Sequence, residues 1–167
     1  MTTTPTSGEK VHAQEEALRR RLVRAAAATA VLATIHFLDH AVRGQLVLDR
    51  GLDPAWNHSG WPFQPRITPF TVSLVAVYGL LLGGIALTVR GRLWAGYWLA
   101  TAVALTALVT RVHFFGGTRA ELPSVILRTF GNAALGIPAL IVVFAILGSL
   151  AFMAVQAIWV RRVSGRW

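Results

Sequence analysis

Residues 22–46 read LVRAAAATAVLATIHFLDHAVRGQL, an apolar stretch long enough to cross a bilayer as a helix and interrupted near its far end by His36, Asp39, His40 and Arg43. At 100° per residue, with His36 at zero, His40 falls near 40°, Arg43 near 340° and Asp39 near 300°, so the four share one arc of about 100°. Each ionisable group at membrane depth costs on the order of 2.5–3.5 kcal/mol, so such groups turn toward a bundle interior and mark a site. The fold is therefore expected to be a helical bundle with this stripe facing inward.

The rest of the chain agrees. Of its 167 residues, 54% are hydrophobic and 14% charged, and the mean hydropathy of +0.56 is too high for a soluble domain of this size. Hydropathy predicts four spans, near residues 22–46, 70–89, 93–112 and 137–160, within one domain covering 1–167. The expectation is an all-α integral membrane four-helix bundle. Residues 1–8 (MTTTPTSG) are polar, lack the apolar core of a signal peptide, and are expected to form a disordered tail. Thr6 and Glu9 have the spacing of a capping box, and Glu15/Arg19 and Glu16/Arg20 are i, i+4 pairs, so the first helix is expected to start in water.

Cysteine is absent, which excludes disulfides, thiolate metal sites and cysteine nucleophiles. Lys10 is the only lysine and sits in the polar N-terminal segment, so a buried Schiff base has no candidate. Lys10 and nine arginines (19, 20, 21, 24, 90, 92, 161, 162 and 166) fall on one side of the four-span topology, and six arginines fall on the other. The positive-inside rule then places both termini in the cytoplasm, and a bacterial-type plasma membrane suits the chain. The net charge of +9 thus reads as a topology signal and an attraction to lipid headgroups; nucleic acid is not an expected partner.

In this orientation the chemistry-bearing residues gather in the outer half. Taking Arg24 as the inner interface, His36 lies about 18 Å and Arg43 about 28 Å along the helix. On the third span Thr106, Thr110 and His113 share a face and offer a matching stripe, although His113, at the span's end, sits high relative to His36 on that scale. The loop from Val47 to Pro69 carries four prolines with Trp56, His58, Trp61 and Phe63, which suits an ordered extracytoplasmic cap. Around Pro123 to Ala133 an apolar face of Leu122, Val125, Ile126, Phe130 and Ala133 predicts a short interfacial helix before the fourth span, with Gly136 and Pro138 at the bend. Gly79 and Gly83 form a GxxxG packing motif, and Trp94, Tyr97, Trp98, Trp159 and Trp167 read as anchors at the cytoplasmic interface.

Three functions are compatible with the stripe. The first is binding of a haem b or a transition metal in a redox or metal-assisted role. His36, His40, His113 and His58 are the candidate metal ligands; for haem, His36, His40 and His113 offer axial ligation, with Arg43 and Arg111 to meet propionates. The second is metal-free acid–base catalysis by His36, Asp39 and His40 on a lipophilic small molecule, in an isomerase, cyclase or hydrolase type of reaction. The third is a non-catalytic accessory or assembly subunit of a homo-oligomer or larger membrane complex, with Asp39 and Arg43 as an i, i+4 ion pair.

Overall fold

The computed structural model describes residues 7–49, 69–92, 95–115, 122–129 and 131–165, with side chains for all of these except 7, 43–49, 69, 70 and 129. Five helices follow in order: α1 (Ser7–Asp49), α2 (Pro69–Val89), α3 (Ala95–His113), the short α4 (Pro123–Thr129) and α5 (Ala133–Ser164). α1, α2, α3 and α5 are each long and apolar enough to cross a membrane. Large side chains such as Val75 (69% exposed), Val31, Val103 and Ile141 point outward from the bundle, which suits lipid and not water as the surrounding solvent. The chain is an integral membrane helical bundle.

α1 is 43 residues long, about 65 Å, so it extends well beyond a hydrocarbon core of about 30 Å. Residues 9–43 contain neither glycine nor proline and are rich in alanine, which keeps the helix continuous. It is already formed at Ser7, within the segment expected to be a tail; Thr6, the expected capping residue, lies outside the described residues. Of the two expected i, i+4 pairs, Arg20 and Glu16 make the ion pair at 2.6 Å. Arg19 instead reaches across to α2 and donates to the Val89 carbonyl at 2.6 Å.

Thr29 on α1 meets Ser149 and Met153 on α5, and Trp98 near the start of α3 meets Thr88 near the end of α2. The N-terminal half of α1, the end of α2, the start of α3 and the end of α5 therefore gather at one end of the bundle. Leu18, Leu22, Trp98, Ala157 and Val160 form the buried core there.

Two local expectations change. Trp98 is not an interfacial anchor: it is 1% exposed, with Nε1 donating to Thr88 Oγ1 at 2.8 Å. A Cβ on Gly84 would lie 2.6 Å from the Trp98 ring, whereas one on Gly79 would meet nothing within 4 Å. The close α2–α3 approach thus uses Gly84 and not the Gly79 end of the GxxxG. Tyr97 completes that seam by donating its hydroxyl to the Leu80 carbonyl at 2.6 Å.

α5 begins at Ala133, capped by the Asn132 side chain, so the fourth helix starts ahead of Pro138, which sits inside it. Gly136 serves a different purpose from a bend. A Cβ there would stand 2.7 Å from the Leu127 backbone, so glycine lets α4 lie directly against α5, where Ile126 buries against Ala139 and Val143.

Candidate metal centre

His36 and His40 lie one turn apart on α1, so both imidazoles leave the helix on the same side. The buried arc of α1 contains Thr29, Ala33, His36, Phe37 and His40, with His36 at one edge and Phe37 at the other. Its lipid side carries the exposed Ile35, Leu38 and Val42, which project away from that arc. Asp39 falls on the flank between the two and is half-buried. The polar stripe is thus real, but the inward face is centred on the histidine side of it.

His113, the last residue of α3, closes the cluster. His40 Nε2 lies 2.8 Å and His113 Nε2 lies 3.2 Å from His36 Nε2. The ring centroids are separated by 4.3 Å for His36–His40, 5.0 Å for His36–His113 and 6.2 Å for His40–His113. All three side chains are buried, at 8, 3 and 2% exposure for His36, His40 and His113. One ring nitrogen from each falls within 4.8 Å of the others, so the three can coordinate a metal ion.

His113 reaches His36 because the helices are in a different register from that implied by taking Arg24 as the inner boundary. Eighteen residues back from His36 on α1 is Leu18, and eighteen residues back from His113 on α3 is Ala95; both belong to the same buried core. Arg19 on α1 and Trp98 on α3 both bond to the end of α2, at Val89 and Thr88, and from those levels His36 and His113 lie a similar distance along their helices, about 26 and about 23 Å. Thr106 and Thr110, expected to share this face, are half-buried and absent from the cavity lining; Leu105, Val109 and Val112 present the inward face of α3 instead.

A cavity of about 60 Å³ adjoins the three imidazoles. Thr29 and Ser73 are its only other polar lining residues, and no carboxylate, lysine or arginine lines it among the described residues. The Thr29 hydroxyl is engaged with the Ala25 carbonyl and with Ser149 Oγ, at 2.8 and 2.9 Å. Thr29 was legible in the sequence as a member of the histidine arc, two turns before His36. Ser73, Val77 and Ile146 carried no such signal, because their helices are apolar on every side.

The remaining candidates lie elsewhere. Arg111 is exposed, its guanidinium donating to the Phe115 carbonyl of its own chain segment. Arg43 belongs to α1, but its side chain is not among those described, and His58, Trp56 and Trp61 lie outside the described residues together with the expected cap. No protein-family model matches this chain, and no curated protein or solved structure matches it either. The chemistry of the site is accordingly read from its own geometry.

Proposed function

We propose that this protein carries a mononuclear transition-metal centre within the membrane, held by His36, His40 and His113, and that the metal serves a redox or metal-assisted reaction. The convergence of three buried Nε2 atoms from two helices carries this reading. Three neutral imidazoles in an apolar interior are costly unless their polar atoms are satisfied, and one lone pair on His36 Nε2 cannot be shared well by two in-plane donors. A metal ion at their meeting point would use all three lone pairs at once.

The spacing is favourable for such an ion. Ligand nitrogens about 2.0–2.1 Å from a metal stand about 2.9 Å apart at right angles and about 3.4 Å apart in a tetrahedron. The 2.8 and 3.2 Å separations fall close to these values. Axial haem ligation would need two nitrogens about 4 Å apart with a porphyrin between them, wider than the 2.8 and 3.2 Å separations from His36 Nε2. Imidazole donors without thiolate suit zinc, copper, iron or nickel. Three protein ligands leave a coordination position open, the arrangement of catalytic and not purely structural sites.

Metal-free acid–base chemistry draws less support, because Asp39 is not among the residues lining the cavity. Orientation follows from charge. Arg19, Arg20, Arg21 and Arg24 on α1, Arg90 and Arg92 in the turn after α2, and Arg161 and Arg162 on α5 lie at the end of the bundle away from His113, so by the positive-inside rule we read the metal as facing the outer leaflet. The deciding experiment is metal analysis of the purified chain after equilibration with zinc or cobalt(II). One ion per chain, with cobalt d–d bands of a nitrogen-ligated site that disappear in His36→Ala, is expected. Binding that is unchanged in His36→Ala, or no binding of zinc, cobalt(II) or copper(I), would overturn the proposal.

A further inference from the structure

We propose that the cavity beside the three imidazoles is a chamber for a small apolar diatomic molecule of the dioxygen class, bound at the open position of the metal. The inference rests on the metal centre proposed above and adds the class of ligand it takes.

Size is the first constraint. A cavity of about 60 Å³ accommodates about two or three heavy atoms of a ligand, which favours a small molecule over a quinone or a sterol. The second is the character of the walls. Phe37 from α1, Val77 from α2, Val109 from α3, and Ile146 and Leu150 from α5 line the space, so every spanning helix contributes apolar surface. Cavities with such walls hold apolar guests in preference to water, which needs two to four polar partners. Both lining hydroxyls, of Thr29 and Ser73, already have partners and offer little to a solvent chain.

Charge gives the third constraint. With only imidazoles as ligands and no carboxylate in the lining among the described residues, a bound ion keeps its full charge in a low-dielectric setting. The Born cost rises with the square of charge, so a monovalent ion such as copper(I) pays about one quarter of the divalent penalty. Reduced copper with three nitrogen donors binds dioxygen, carbon monoxide and isocyanides at its vacant position. Apolar gases dissolve in the hydrocarbon of the bilayer, which places the supply of ligand directly outside the helices. Binding alone is proposed; no bond within the diatomic molecule is made or broken.

The test uses the full chain in detergent or nanodiscs, loaded anaerobically with copper(I), with copper per chain measured first. Carbon monoxide is the probe, and its infrared stretch reports occupancy. One narrow C–O band at about one carbon monoxide per copper is expected, with no uptake of the bulkier tert-butyl isocyanide. In Val109→Phe and in Ile146→Phe, which fill the chamber from different helices, copper content should hold while carbon monoxide affinity falls at least tenfold. A copper-loaded wild type that binds no carbon monoxide, or takes tert-butyl isocyanide equally well, would overturn the chamber and leave the metal centre standing. So would a filled variant that retains copper and full carbon monoxide affinity. A wild-type chain that retains no copper, zinc or cobalt would remove both proposals. The isocyanide comparison needs no variant and decides the matter even where both substitutions prevent folding.

Discussion

His113 Nε2 lies 3.2 Å from His36 Nε2 across 77 positions of sequence, joining the last residue of α3 to the middle of α1. The contact makes a site from an i, i+4 pair that has only two ligands of its own. His113→Ala should therefore lower metal affinity at least 100-fold, by loss of one of three ligands, while Asp39→Asn should change it less than tenfold. Equilibrium dialysis with elemental analysis compares the two. Equal losses would show that Asp39 belongs to the metal's immediate surroundings.

Protons and metal compete for the same imidazole lone pairs. Acidification from about pH 8 to about pH 5 is expected to release the ion, because each ligand must be neutral to coordinate. The sign is set: bound metal at high pH, free metal at low pH. Retention measured by elemental analysis after buffer exchange across the range checks this, and flat retention would argue for ligands that do not titrate there.

Gly84 and Gly79 are one and a half turns apart on α2, yet only the first is packed against a neighbour. Gly84→Ala would place a methyl 2.6 Å from the Trp98 ring and should destabilise the bundle by about 1–3 kcal/mol through overpacking. Gly79→Ala meets nothing within 4 Å and should be neutral or stabilising by a few tenths of a kcal/mol to about 1 kcal/mol. Thermal unfolding in detergent distinguishes them, and a similar loss in both would mean that α2 packs differently.

Thr88→Val removes the acceptor for the Trp98 indole N–H while nearly preserving volume. An indole N–H left buried without its partner costs about 1–3 kcal/mol. The same unfolding assay should show that loss, with tryptophan fluorescence shifting as the ring's surroundings change. A stability equal to wild type would indicate that the indole finds another acceptor.

The sequence alone was sufficient for the membrane class, the four spanning helices and the shared face of His36 and His40, because hydropathy and helical periodicity are local properties. Periodicity also predicted the extra helix near Pro123, since its apolar face is written in the twelve consecutive residues 122–133. The exclusion of thiolate and Schiff-base chemistry was equally local, resting on which residue types are present.

Only the tertiary structure decided which flank of the α1 stripe faces inward, leaving Asp39 aside, and which α3 residues meet it. Both depend on helix rotation and vertical register, which arise from packing at remote points such as Leu18, Ala95 and Trp98 on Gly84. A uniformly apolar helix presents nearly the same surface at every rotation, so its sequence carries little information about the face it buries. The cavity is lined from α1, α2, α3 and α5, and its shape exists only once their side chains interlock.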